Sequence, residues 1–303
     1  DVLAQEPVRV CIVNGLLNPL GTERELATDV DERKVRLDGE RGDGDPLDDL
    51  VRVALEEHVV LERRRLTFVG IDRQVAREHV LGEERPLLAG TEPGAPEYTQ
   101  EEIHAAVEEA ANYGTFVAAH AHGAEGIKRA VRAGVRSIEH GSIADDEALQ
   151  LMKEHGTWLV ADIWNGDYID SVGTKDGWPE EILRKNRETT ETQRTAFRKA
   201  VALGVNLAYG TDSGVYPHGL NASQLPYMVK YGMTPMQAIQ SATINAARLL
   251  NWGDRVGSLT AGKFADLIAV KGDGLIDLHR FMAVDFVMKG GRVVKEGGRP
   301  VGQ

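Results

Sequence analysis

From about Thr91 to the C-terminus, the apolar and polar positions of the chain alternate between two periods, and each change of period predicts an element. Thr99-Gln-Glu-Glu102 reads as a capping box that opens a helix running to Tyr113 and stopping at Gly114. The apolar run Thr115-Phe-Val-Ala-Ala-His120 then predicts a strand, and a helix from about Ala124 ends at Gly134. The same order repeats with the strand Val135-Arg-Ser-Ile-Glu-His140, a helix from Asp145 or Asp146 to Gly156, and the strand Thr157-Trp-Leu-Val-Ala-Asp162. A polar loop is expected next, followed by a long helix from about Pro179 to Leu203, a stop at Gly204, and the strand Val205-Asn-Leu-Ala-Tyr-Gly210 leading into Thr211-Asp212. Short apolar strands separated by amphipathic helices predict an α/β fold with a parallel sheet buried on both faces, and four such units are half of an eightfold (β/α) barrel. Thr234-Pro-Met-Gln237 is a second capping box with Pro at the first helical position, opening helices through Leu250. Beyond Gly257 the pattern turns strand-like, at Ala265 to Val270 and Phe286 to Val294, which predicts a small β segment over 257–303 beside the barrel segment of 91–256.

Residues 1–90 have a different texture. Lys34 is their only Lys and Phe68 their only aromatic, and Ser, Met, Trp and Tyr are absent. A typical barrel uses about 250 residues, or roughly 31 per unit, so four preceding units need about 120. Only 98 residues precede Thr99. Two readings follow: translation of GC-rich DNA in a wrong frame, or a divergent first half, with elements drawn at Leu50–Leu61 and Leu66–Ile71. The wrong-frame reading leads us to expect a poor catalyst.

Composition narrows the function class. A formal charge of −12 disfavours a nucleic-acid or anionic-membrane surface and leaves small molecules or dipeptides as partners, with a homo-oligomer open. Cys11 is the one cysteine, so neither a disulfide framework nor a thiolate zinc site is available, and any metal must use His, Asp or Glu. No apolar run approaches the roughly 20 residues of a membrane span, and no secretory signal is visible in a chain that opens on Asp1. Localisation, cytoplasmic or periplasmic, stays open.

In a parallel α/β barrel, chemistry lies at the C-terminal ends of the strands. His120, His140 and Asp212 each fall at such an end. Imidazole and carboxylate hold zinc or a similar divalent ion, which lowers the pKa of bound water to about 7, and an Asp beside that water can take its proton. One strand-end His is more often a hydrogen-bonded structural residue, but three strand ends that agree outweigh that reading.

Those three ends lie in Val117-Ala-Ala-His-Ala-His-Gly123, Ser137-Ile-Glu-His-Gly141 and Tyr209-Gly-Thr-Asp-Ser-Gly-Val-Tyr-Pro-His-Gly219, and the motifs resemble the amidohydrolase superfamily. The similarity is greatest to its Xaa-Pro dipeptidase and imidazolonepropionase-related subgroup, and is supported by Gly232 to Thr243 and Gly257 to Leu267. The resemblance implies a TIM-type barrel and metal-dependent hydrolysis of a C–N bond in a dipeptide or N-acyl amino acid, with one or two divalent ions, zinc first among them. It implies that His120 and His140 are ligands from strands five and six, and that Asp212 is the strand-eight ligand and general acid/base. A cyclic-amide hydrolase or deaminase, and a catalytically incompetent barrel, are the alternatives. The His-x-His of strand one is not found, and residues 80–90 contain no Lys to bridge two metals.

Further candidates carry structural readings beside functional ones. His122 alternates with His120 and suits substrate contact, while Gly123 suggests that the strand has already ended. Tyr168 and Asn165 suit hydrogen bonding to a tetrahedral intermediate, or ordinary loop packing, and His218 suits a substrate carboxylate, or solvent. Arg184 and Lys185 read more easily as a solvated helix face than as a carboxylate site, and His104, His155 and His279 as surface residues.

Overall fold

The structure, a computed structural model, describes residues 98–302, Gly94 and Pro96, and the backbone of Val8–Cys11 and Thr67–Gly70. In chain order the strands are β1 (Val8–Cys11), β2 (Thr67–Gly70), β3 (Val117–Gly123), β4 (Ser137–Ile143), β5 (Trp158–Ala161), β6 (Asn206–Tyr209), β7 (Leu267–Lys271), β8 (Val284–Lys289), β9 (Arg292–Glu296) and β10 (Arg299–Pro300). The helices are α1 (Gln100–Asn112), α2 (Ala124–Ala133), α3 (Asp146–His155), α4 (Asn165–Asp176), α5 (Glu180–Leu203), α6 (Gln224–Lys230), α7 (Pro235–Gln240) and α8 (Ala246–Leu249), with a π-turn over Ser241–Asn245 joining the last two.

Both capping boxes form. The Thr99 hydroxyl accepts from the Glu102 N–H at 3.2 Å while the Glu102 carboxylate accepts from the Thr99 N–H at 2.7 Å, and Thr234 and Gln237 repeat the arrangement. Asp145 caps α3 by accepting from the Ala148 N–H at 2.8 Å. Gly134, Gly156 and Gly204 end α2, α3 and α5 in the left-handed conformation, as their positions in the sequence suggested.

Strands β2 to β6 form a parallel sheet in sequential order, and β1-β7-β8-β9-β10 forms a separate antiparallel sheet. The α/β class expected from the sequence is therefore present. Among the described residues, segment 1–90 supplies one strand to each sheet. The strand drawn within Leu66–Ile71 pairs as Thr67–Gly70 with β3, and Cys11 stands opposite Ile268. The element drawn over Leu50–Leu61 lies outside the described residues.

Alternation divides β3 between two faces. Val117, Ala119 and Ala121 join the core with Ile127, Val131, Ile138, Leu149 and Met152, and His120 and His122 take the opposite face. The strand continues to Gly123, so the two histidines share that face as regular alternation requires.

Two sequence expectations are corrected. The segment after Asp162 is not a polar loop but contains α4, whose Asn, Gly, Asp, Ser and Thr are poor helix formers on their own. Packing holds it: a Cβ at Gly166 would lie 1.8 Å from the Thr190 hydroxyl of α5, and Asp167 is ion-paired with the buried Arg194 at 2.5 Å. Lys185 is not on a solvated face either; its side chain is buried and pairs with Glu181 at 2.8 Å, whereas Arg184 is exposed and pairs with Glu188. His104, His155 and His279 are exposed as expected.

Candidate metal centre

The C-terminal ends of β3, β4, β5 and β6 converge. Nδ1 of His120 and Nε2 of His140 lie 2.9 Å apart, and Nδ1 of His140 lies 3.1 Å from Oδ1 of Asp162. Among the described residues, His140, Asp162 and Asp212 offer one ligand atom each, all within 4.8 Å of one another.

Backbone conformation aims two of these side chains. Strict alternation would turn His140 to the same side as its register partner Ala121, toward the helices. Instead His140 adopts a φ of 69° and Gly141 one of 59°. The register passes from Ala121↔His140 to Gly123↔Ile143, so β4 carries an extra residue in a bulge. The imidazole consequently stacks on His122, with ring centres 4.6 Å apart, and faces His120. A Cβ at position 141 would stand 2.6 Å from Leu159 Cδ1, a side-chain end that can shift, so it is the left-handed φ that favours glycine there. Asp212 is also left-handed, with a φ of 47°, a conformation Asp tolerates better than most residues.

A shell of buried amides surrounds the carboxylates. Gln193 of α5 donates to Asp162 Oδ1 at 2.7 Å, Asn165 of α4 donates to Asp162 Oδ2 at 2.7 Å and to Asp212 at 3.4 Å, and Gln224 of α6 donates to Asn165 Oδ1 at 2.8 Å. His122 Nδ1 is 2.9 Å from the Ser142 hydroxyl.

Burial alone would lower the basicity of His140, but the charge and hydrogen bond of Asp162, joined by Asp212 and Glu139, outweigh it and raise its pKa to about 9. Burial likewise opposes ionisation of Asp162, yet His140 and the Gln193 amide hold it down at about 2. Burial and the His140 charge lower His122 to about 3, so that ring is neutral. Glu139, on the same strand and with its carboxylate accepting from Ser137, is pushed up to about 7 by burial. Acidic groups thus surround one buried imidazole, Asp162 from the buried side and Asp212 from the exposed side. The donors are nitrogen and oxygen only, which suits zinc and similar divalent ions, so the residues present fit a cation.

The structure therefore brings together His120, His140 and Asp212, with His122 beside them. Tyr168 is one turn into α4, its ring 5.6 Å from Trp164 and 5.8 Å from Tyr216, and Asn165 bonds both carboxylates rather than filling a loop. His218 is exposed in the loop after Asp212. Sequence reasoning missed Asp162, Gln193 and Gln224. Asp162 carried a usable signal, because in the sequence it follows an apolar run as His140 and Asp212 follow theirs; the two glutamines sit on distant helices and carried none.

Comparison with known proteins identifies the family. The amidohydrolase family model matches residues 52–294. Ochratoxinase of Aspergillus niger is 35% identical over 246 residues, covering 79% of this chain and 50% of its own. An imidazolonepropionase of a Geobacillus species is 28% identical over 219 residues, covering 67% of this chain and 45% of its own. The crystal structure of a Xaa-Pro dipeptidase with bound methionine in the active site superposes with a TM-score of 0.72 at 38% identity, covering 83% of this chain and 59% of that one. The chain spans about half the length of the curated relatives it matches. With the family model matched from residue 52 through the last candidate strand end and into the antiparallel sheet, the chain belongs to the amidohydrolase family.

Proposed function

We propose that the protein hydrolyses a C–N bond in a dipeptide, with Xaa-Pro first among candidates, or in an N-acyl amino acid, at a divalent metal held by His120, His140 and Asp212. The observation that carries the reading is that His140 lies within reach of both His120 and Asp212 at one end of the parallel sheet, with His140 and Asp212 in left-handed backbone. A divalent cation held there would supply Lewis acidity and lower the pKa of a water, to about 7 in the case of zinc. Asp212 takes the proton of the attacking water and delivers it to the leaving nitrogen, completing the cleavage. His122, stacked on His140, and Tyr168, at the aromatic wall of α4, face the substrate side, and His218 meets a substrate carboxylate from the loop. In this reading residues 91–256 are the C-terminal half of an eightfold barrel and 257–303 the small β segment.

The 38% identity to a Xaa-Pro dipeptidase, against 28% to an imidazolonepropionase, favours a linear amide over a cyclic one. The test is metal content of the purified chain, together with turnover of a panel of Xaa-Pro dipeptides, other dipeptides and N-acyl amino acids with added zinc. Stoichiometric metal with turnover supports the proposal. Metal without turnover on any panel member points to the cyclic substrates, and neither metal nor turnover to an incompetent barrel lacking the strand-one and strand-four ligands.

A further inference from the structure

We infer that Asp162 is a positioning residue: its carboxylate accepts a hydrogen bond from Nδ1–H of His140 and thereby turns the bare Nε2 of that ring, beside Nδ1 of His120, toward a divalent cation. The inference rests on the metal-dependent reading above and deepens it.

The direction of every hydrogen bond around Asp162 is fixed by backbone groups that have only one role. The Trp164 N–H can only donate, and it meets Gln224 Oε1 at 2.9 Å, so the other end of that side chain is the NH2 that meets Asn165 Oδ1 at 2.8 Å. The NH2 of Asn165 is then the group facing Asp162 Oδ2 at 2.7 Å. From the other side, one end of Gln193 faces both the His140 carbonyl, at 3.4 Å, and Asp162 Oδ1, at 2.7 Å. A carbonyl only accepts, so that end is also NH2. Two donors of fixed polarity thus point at the two oxygens of Asp162, and an amide in its place would set an NH2 against one of them.

The remaining neighbour, His140 Nδ1 at 3.1 Å from Oδ1, must donate as well. Binding a cation requires the ligating nitrogen to give up its proton, and an imidazole that keeps its one proton on Nδ1 then has its lone pair on Nε2. That atom lies 2.9 Å from His120 Nδ1, close to the roughly 3.3 Å that separates two nitrogens sharing a tetrahedral zinc at about 2.0 Å. With three donors already on its oxygens, Asp162 orients a ligand, and Asp212 supplies the carboxylate to the cation. Gln193, Gln224 and Asn165 are all buried, so each amide lost from the relay leaves a partner unsatisfied away from water.

The test uses the full chain loaded with zinc, read by chelator competition and by nitrogen-15 spectra of labelled histidine, with His140 assigned from the signal missing in His140→Ala. The expected spectrum has the proton of His140 on Nδ1 and none on Nε2. Asp162→Asn should lose about 10–100-fold in zinc affinity and alter that Nδ1–H signal. Gln193→Met, which keeps the carboxylate and removes one donor, should lose less affinity and keep the tautomer. A proton found on Nε2, or zinc affinity in Asp162→Asn within about threefold of wild type with the signal unchanged, overturns the inference and leaves the metal reading standing. If Asp162→Asn does not fold, the wild-type tautomer decides alone. A wild-type chain that takes up no zinc overturns the metal reading and this inference together.

Discussion

The two edges of the parallel sheet use left-handed backbone in opposite ways. At the edge where the strands begin, the left-handed residues include Gly114, Gly134, Gly156 and Gly204, each lying between a helix and the strand that follows, with no side chain to strain. At the edge where the strands end, they include His140 and Asp212. A non-glycine residue in that region costs on the order of 1–3 kcal/mol, which the surrounding packing must sustain. The first edge also holds a groove of about 300 Å3 lined by Val107, Phe116, Val135, Arg136 and Thr157, but none of the candidate ligands reaches it. Arg136 there donates to the Leu249 carbonyl at 2.8 Å and the Arg248 carbonyl at 2.9 Å, closing the end of α8. One edge relieves strain and ties helices down; the other concentrates strain, burial and charge on one imidazole. The contrast teaches that a cavity alone does not mark the site.

The sharpest way to break this contrast is at Asp212. Asp212→Asn should lower kcat by about 10²–10⁴-fold on whichever panel substrate is turned over, with a smaller change in KM. Near-normal turnover would remove Asp212 from proton transfer. At the other edge, Arg136→Ala should cost roughly 1.5–3 kcal/mol in denaturant unfolding, through loss of charge-assisted bonds to carbonyl groups, and leave zinc affinity unchanged. A matching loss of zinc affinity would show that the edges are coupled. Gly156→Ala should cost about 1–2 kcal/mol, seen as a lower thermal midpoint at constant turnover, because alanine is strained at a φ of 71°.

The smallest effect concerns Asp145, which caps α3 just past the end of β4. Burial would raise its pKa, but the Lys128 ammonium at 2.7 Å and the Ala148 N–H hold it below the ordinary carboxylate range. A depressed folded value means that the stabilisation is complete above the unfolded pKa of about 3.9 and is lost as pH falls through the lower folded value. Half exposure and salt screening keep it small. Thermal midpoints of Asp145→Asn and wild type should therefore differ at neutral pH and converge in strong acid; a constant gap would assign the difference to packing.

Local chemistry made most of the second half legible. Thr99, Asp145 and Thr234 cap through neighbours three residues away, and the glycine stops act within one turn, so these signals survive in any context that lets a helix form. The candidates His120, His140 and Asp212 followed from the apolar runs that precede them, although β3 and β4 each continue three residues further and β6 stops three residues before Asp212. The helix α4 was not legible, because Gly166, Gly173 and Asp167 favour it only through Thr190, Leu183 and Arg194, which belong to α5 or its approach.

What the sequence by itself determined is thus the order of strands and helices, their caps, and the set of strand-end residues from which a metal centre can be drawn. Tertiary structure decided which of those side chains meet, and how. The bulge that turns His140 puts His140 and Gly141 in left-handed backbone, with Gly141 packed against Leu159 of the next strand. The carboxylate that holds its ring, and the amides that hold the carboxylate, come from positions 22, 53 and 84 residues further along the chain, at Asp162, Gln193 and Gln224. Capping acts over one helical turn and leaves a local mark, whereas the polarity of a buried hydrogen-bond relay exists only once the chain has brought its donors and acceptors within about 3 Å of one another.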